Sequence, residues 1–340
     1  NRLYMCVTFY EAIGISYILV DLAGKSTELI ESSKNLGIAE GRFLRALINY
    51  QLVRIWGQVP IRLERVIDAS LADLELASID DIYASIIDDL KFAEDILPPT
   101  TSKPGRATAG SAKAFLAEVY LTRNDYPNAR DKAKEVMDNE GVYGYDLVAD
   151  FSSLWSPTAA TNLEDVFSIK FAQIINFGNF HTDSWAPREP RVNGQRMGIA
   201  AGFSSSSAFE SGNASPASTL ITGWDNNEGV RKQYTLVSKL TVDGTEYTVI
   251  PQVTRNIDLN GDGTATTERG LFTFGKFRDP GSPGEFGSGN NFYLMRYADV
   301  LLIFAEAENQ VNGPTTAAIN ALNRVRDRAY GCLLYTSPSP

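Results

Sequence analysis

The sequence is short of the residues that most reactive chemistry needs. Its 340 residues include one histidine, His181, and two cysteines, Cys6 and Cys332. A single imidazole argues against a histidine-based metal centre and against a His-dependent catalytic triad. Two cysteines near opposite ends exclude a disulfide framework and a cysteine-based zinc site. Positive charge is also scarce. Thirty-one Lys and Arg face 41 Asp and Glu, a formal net charge of −10, which argues against nucleic acid and anionic lipid as partners. No unbroken run of 18 apolar residues occurs, so no membrane span is expected. The most hydrophobic early stretch, 12–22, is interrupted by Gly14, Ser16 and Asp21, and it lacks the basic start and cleavage site of a secretory signal. The chain starts at Asn1 instead of Met, as expected of a piece with sequence missing upstream.

What is present begins with helices. Over 35–55, Phe43, Leu47 and Tyr50 fall on one face and Leu44, Ile48, Leu52 and Ile55 on another, the pattern of a helix sandwiched between neighbours. Gly57 and Pro60 then end it. Aromatics at helical spacing are read as scaffold, Trp56 included. Over 78–97, Ser-Ile-Asp-Asp resembles a capping box with Asp81 in the Glu position, and Ile79, Ile82, Tyr83, Ile86, Leu90, Ala93 and Leu97 recur at helical spacing up to Pro98-Pro99. Asp88 and Asp89 read as the solvated side of that helix. Residues 111–136 read as two helices around a polar turn, with Pro127 in the first turn of the second. Leu116, Ala117, Tyr120 and Ala129 fit the tetratricopeptide pattern, and an ordinary helical hairpin would also fit.

From 143 to about 292 helical periodicity fades, while Gly, Ser, Asn, Pro and aromatics rise. Strand-like runs appear at 166–171 and at 246–255, the second after an Asp243-Gly244 turn. Long irregular stretches inside a compact domain are usually functional loops. Helices return over 293–309 and 317–329, on either side of Asn312-Gly313-Pro314. The tail, 331–340, ends in CLLYTSPSP and looks like a spurious translated end.

Three pieces together resemble the SusD/RagB family of outer-surface nutrient-binding lipoproteins. AEGRFLRALINYQLVRIWGQVP is similar to that family's AEARFLRA helix with its W/F-G-x-V-P ending. GRATAGSAKAFLAEVYLTRNDYPNA is similar to its GRATKGAA segment. YLMRYADVLLIFAEAENQVNGPTTAAINALNRVRDRA is similar to its RYAEVLLMYAEA helix followed by I-N-x-V-R-x-R-A. The pieces occur in family order, and the resemblance covers about 30–330.

The resemblance implies a mainly α fold of tetratricopeptide-like hairpins with a loop-rich, partly β region packed on them. That gives one SusD-like domain over 1–330: hairpins over 1–142, loops and short strands over 143–292, returning helices over 293–330. It also implies a lipid-anchored protein at the bacterial outer-membrane surface. Such a protein is not an enzyme; it binds glycans or other nutrients and partners a TonB-dependent, SusC-like transporter. The family's lipoprotein signal and its further C-terminal segment have no counterpart here, so the chain is expected to be a fragment.

Sugar recognition needs aromatic faces for pyranose C–H groups and planar polar partners for hydroxyls, each platform contributing about 1–2 kcal/mol. Trp185 is the first candidate, in a polar loop with Asn179, Asp183 and Arg188; Phe203, Phe286 and Trp224 are further candidates, and Trp224 could equally pack at a turn. Trp155 could instead cover the end of a helix. Asp258, Asn260 and Asp262, with Gly263 next, resemble the start of a calcium loop, but the twelfth position is Arg269 and no flanking EF-hand helices are expected. An ordinary Asp/Asn/Gly turn has the same composition. Calcium is the only cofactor suggested. Two rival functions stand beside glycan capture. A glycoside hydrolase would need two carboxylates about 5–10 Å apart across a sugar, and nothing singles out such a pair. A peptide-binding tetratricopeptide scaffold would use its concave helical face.

Overall fold

Amphipathic periodicity is realised as helices through the first part of the chain. The computed structural model describes residues 2–62, 74–179, 191–192, 195–196, 229–237, 239–242, 245–248, 254–257, 266–269, 273–274, 276, 279, 283 and 287–330. These group into two compact units, 1–146 with 295–322, and 147–294 with 323–340.

The first unit is built of helices α1 (Arg2–Lys25), α2 (Glu31–Trp56), α3 (Ile79–Ile96), α4 (Ala109–Thr122), α5 (Tyr126–Asp138), the single turn α6 (Glu140–Tyr143), and a helix that returns late in the sequence, Tyr297–Asn312. Each of α1 to α5 packs on the next, and the returning helix packs on α5 and α4. Local signals set the ends. Ser78 caps α3 by accepting from the Asp81 backbone N–H at 3.1 Å. The Asp81 carboxylate takes the Ser78 hydroxyl at 2.6 Å, so the expected box forms only in part. Thr108 and Ser111 cap α4 reciprocally. Asp125 caps α5, with proline in its first turn. Gly57 ends α2 with φ 75°, a backbone conformation that favours glycine.

The core joins Phe43 on α2 to Phe115 on α4, ring centres 5.8 Å apart and edge-on. Ala112, Ala117, Ala129 and Ala133 are fully buried, and these small side chains let α4 and α5 approach closely. The sandwich expected for α2 is incomplete: Phe43, Tyr50 and Leu52 are buried, whereas Leu44 and Ile55 are exposed. Trp56 is only half-buried, edge-on to Phe9 at 6.1 Å.

Two readings of this unit are corrected. Asp89 is not solvated. It is buried beneath α2, where Arg45 donates to both its oxygens at 2.6 and 2.5 Å and Arg42 donates at 2.7 Å; Asp88 alone faces solvent. The second concerns α1. Its stretch Cys6–Lys25 is long and apolar enough to cross a membrane by length and composition, although no 18 apolar residues run unbroken. Here it lies against α2 through Ile13, Ser16, Tyr17 and Ala23, leaving Val7, Ile15, Ile18, Leu19 and Leu22 exposed.

In the second unit a 3-10 turn, Phe151–Trp155, is followed by β1 (Asp165–Ile169). Short antiparallel pairs come next. β2 (Arg191–Val192) pairs with β3 (Gln195–Arg196). After a two-turn helix, α7 (Gly229–Thr235), come β4 (Leu236–Val237), β5 (Lys239–Val242), β6 (Thr245–Thr248), β7 (Thr254–Ile257), β8 (Thr266–Arg269) and β9 (Thr273–Phe274). β5 and β6 form a hairpin with Val242 opposite Thr245, as the Asp243-Gly244 turn predicts. β4 pairs with β9, and β7 with β8. Of the strand predicted over 246–255, residues 246–248 belong to β6 and 254–255 to β7, and 249–253 lie outside the described residues.

β1 pairs with β10 (Phe292–Arg296), which runs into the returning helix, α8. Residues 293–296, read as helical, are therefore strand. The last helix, α9, is Thr316–Tyr330. This unit's own core is Val148, Phe151, Leu154 and Trp155, with Tyr234 and Tyr293 packed against it. A buried ion pair, Arg328 to Glu164, fixes the end of α9 within the same unit, and Glu164 also accepts from the Val148 backbone N–H at 3.2 Å.

Candidate functional site

Aromatic and amide side chains suited to ligand contact concentrate in the second unit, and the structure sorts them. Trp155 is structural. Its ring is buried, edge-on to Tyr293 at 6.0 Å and to Phe151 at 6.5 Å, with the Lys276 ammonium 4.9 Å from its centre. That cation–π contact on a covered ring leaves little room for a sugar face.

Asn179 is placed inside, not at a surface. It is fully buried; its backbone N–H donates to Ser288 O at 2.7 Å and its Nδ2 donates to Asn290 O at 2.9 Å. The reason is a knot of buried polar groups that clamps two loop segments together. Asp279, fully buried, accepts from Gln173 Nε2 at 2.7 Å and from the Gly289 N–H at 2.9 Å. Asn291 accepts from the Phe171 N–H at 3.3 Å and donates to Ala159 O at 2.9 Å. Backbones approach so closely that a Cβ on Gly178 would lie 2.4 Å from Gly287 Cα, and one on Gly289 would lie 2.1 Å from Pro157 O. Only glycine fits at these two crossings.

The knot holds a turn, 172–178. Ala172 N–H donates to Phe177 O at 3.1 Å, Phe177 N–H donates to Ile174 O at 3.0 Å, and Asn176 sits in the left-handed region at φ 68°. Gln173 points inward to Asp279, while Ile174, Ile175, Asn176 and Phe177 point out. Sequence reasoning passed over Phe177. The only signal was a phenylalanine before a glycine in a non-periodic loop, which does not reveal which side chains face solvent.

Trp185, Asp183, Arg188, Phe203, Trp224 and Phe286 lie outside the described residues, as do Asp258, Asn260 and Asp262. The calcium candidates fall in sequence between the paired strands β7 and β8, whose last matched residues are Ile257 and Thr266. Among the described residues no group of three or more His, Cys, Asp or Glu could hold a metal ion.

Comparison with known proteins bears on the whole chain. A model described as the SusD family matches residues 182–331, and one described as starch-binding associating with outer membrane matches residues 6–121. SusD-like protein P2 of Formosa agariphila is 30% identical over 324 residues, covering 94% of this chain and 61% of that protein. A SusD homolog from Bacteroides thetaiotaomicron superposes with a TM-score of 0.75 at 24% identity, over 99% of this chain and 68% of that one. A laminarin-binding SusD-like protein superposes with a TM-score of 0.72 at 22% identity, over 94% of this chain and 69% of that one. The chain spans about three fifths of the length of the curated relatives it matches, 61%, 61% and 58% of the first three. The mainly helical, tetratricopeptide-like fold expected from the sequence is the fold of these neighbours.

Proposed function

We propose that the chain is a SusD-type protein that captures glycans at the bacterial cell surface and passes them to an outer-membrane transporter. The observation that carries the reading is the pair of family matches, one over residues 6–121 and one over residues 182–331. The structure supports a binding role through its division of labour. The helical unit is closed by apolar packing and internal ion pairs. The loop-rich unit spends its polar groups on holding loops in place, which lowers the conformational cost of binding.

The function is non-catalytic in this reading, since recognition needs only a stacking surface and hydroxyl partners. Laminarin and xylogluco-oligosaccharides are the first ligands to try, being named with similar structures. The outer-membrane location rests on the description of the family matched at 6–121. A lipid anchor on the longer protein and a TonB-dependent partner are parts of the same proposal.

A glycan array, followed by isothermal titration on the best hit, tests the capture reading; a chain that binds no glycan refutes it. A reducing-sugar assay runs alongside, and turnover at enzymic rates would replace capture by hydrolysis. The transporter arm is tested by gentle solubilisation of native membranes carrying the full-length protein. Co-purification with a TonB-dependent barrel is expected, and repeated recovery as a free monomer counts against it.

A further inference from the structure

The turn 172–178 is inside out. Its polar Gln173 is spent inward on Asp279, and the next residue past it, Asn179, is spent inward on Asn290, whereas its apolar side chains face water. Phe177 is 71% exposed, Ile174 58% and Ile175 51%. Water-facing Phe and Ile give up the burial of their side chains, about 1.5–3 kcal/mol each, so an ordinary surface turn would not be built this way. The turn is also held rigid. Both of its ends are tied by hydrogen bonds to 279 and 288–291, and Gly178 seats directly against Gly287. An exposed apolar cluster on a pre-ordered turn is a contact surface.

Size and charge indicate what it contacts. Three side chains offer on the order of a few hundred Å², well below the ~800 Å² per partner buried in a stable protein–protein interface. A single sugar ring needs no more than an aromatic face. Residues 172–178 carry no ionisable side chain, and the neighbouring Lys170 ammonium is bound to Asp165. Nothing on the turn therefore neutralises a carboxylate or sulfate, and the net charge of −10 repels a polyanion. Asn176, exposed beside Phe177, offers an amide donor and acceptor to a ring hydroxyl.

We propose that Phe177 is a stacking platform for the C–H face of a neutral saccharide, flanked by Ile174 and Ile175 and oriented by the Gln173–Asp279 and Asn179–Asn290 tethers. The proposal rests on the glycan-capture reading and adds the place and the ligand class. The aromatic quadrupole attracts C–H groups that an aliphatic side chain would only cover, so the ring itself carries the selectivity.

The test uses the full 340-residue chain with cellohexaose, laminarihexaose and, as a charged control, hexagalacturonate. At least one neutral hexasaccharide is expected to bind. Phe177→Ala should weaken that binding about tenfold, a loss of ~1.4 kcal/mol. Phe177→Leu should weaken it similarly, although apolar bulk remains, and Phe177→Trp should retain it. All three should melt as the unsubstituted chain does. Unchanged affinity in Phe177→Ala or Phe177→Leu overturns the platform while leaving glycan capture standing. Hexagalacturonate binding as tightly as the neutral probes overturns the ligand class. If the unsubstituted chain binds neither neutral hexasaccharide, the platform falls, whereas the capture reading falls only if the glycan array is also blank.

Discussion

Replacing Asp89 by alanine removes the acceptor of three hydrogen bonds from two guanidinium groups. Arg45 donates to both carboxylate oxygens at 2.6 and 2.5 Å, and Arg42 donates to one at 2.7 Å. The Asp89 side chain is 1% exposed and that of Arg45 is 10% exposed. The variant therefore strips a buried cation of its carboxylate and leaves it against the Tyr17 ring, 4.9 Å away. Breaking a buried pair from one side costs about 3–5 kcal/mol. At roughly 2–4 °C per kcal/mol for a unit of this size, the melting temperature should fall by about 6–20 °C.

Asp88→Ala is the internal control. Its side chain is 79% exposed and it pairs with Arg42 at the surface, so the expected cost is about 0–1 kcal/mol. Asp89→Leu combined with Arg45→Met removes both buried charges and should recover most of the loss. Urea unfolding at pH 7 with linear extrapolation measures all of these. If Asp89→Ala costs no more than Asp88→Ala, or if the two changes of the double variant simply add, the buried pair does not hold α2 to α3 and the reasoning fails.

Trp56 and Trp185 should respond differently to alanine. Trp56 is half-buried against Phe9, so its loss should cost about 2 kcal/mol, less than the 3–5 kcal/mol of a fully buried ring, and should leave glycan titrations unchanged. Trp185→Ala should leave the melting curve in place and weaken binding about tenfold; unfolding in that variant would make Trp185 scaffold. Burial, reinforced by the charge of Asp299, holds the Glu118 carboxyl above its ordinary value of 4.5, against the pull of Arg54 and Tyr50. A raised carboxylate favours the neutral form in the folded state, so its benefit is complete below the unfolded value and is lost as pH rises through the folded one. Glu118→Gln should then match the parent near pH 4 and melt higher at pH 7 to 8; a gain of the same size at both pH values would refute the assignment. Calcium at Asp258, Asn260 and Asp262 should raise the melting temperature over that in excess chelator, and coincident curves remove the site.

By itself the sequence determined what depends on near neighbours along the chain. Helical periodicity marked α2 to α5 with Phe43, Ile82, Ile86, Leu90 and Leu116 in the core, where the structure buries them. Ser78 and Pro127 marked helix starts, and Asp243-Gly244 marked the join between β5 and β6. Caps, turns and periodic faces are written within a few residues, so they survive without knowledge of the rest. The family motifs, also local runs in a fixed order, led to the same mainly α fold.

Tertiary structure decided what depends on distant partners. Adjacent residues on a helix point about 100° apart, so Asp88 and Asp89 share a sequence neighbourhood but not an environment. Arg45, 44 residues earlier, makes Asp89 a buried anchor. Residues 293–296 extend a helical pattern backwards in sequence, yet they form β10 because β1 lies beside them. Asn179 looked like a polar loop residue available to a ligand until Ser288 and Asn290 closed over it. Phe177 was left outside for the same reason: the long-range hydrogen bonds of Gln173 and Asn179 turn those two side chains inward and leave Ile174, Ile175, Asn176 and Phe177 to face water.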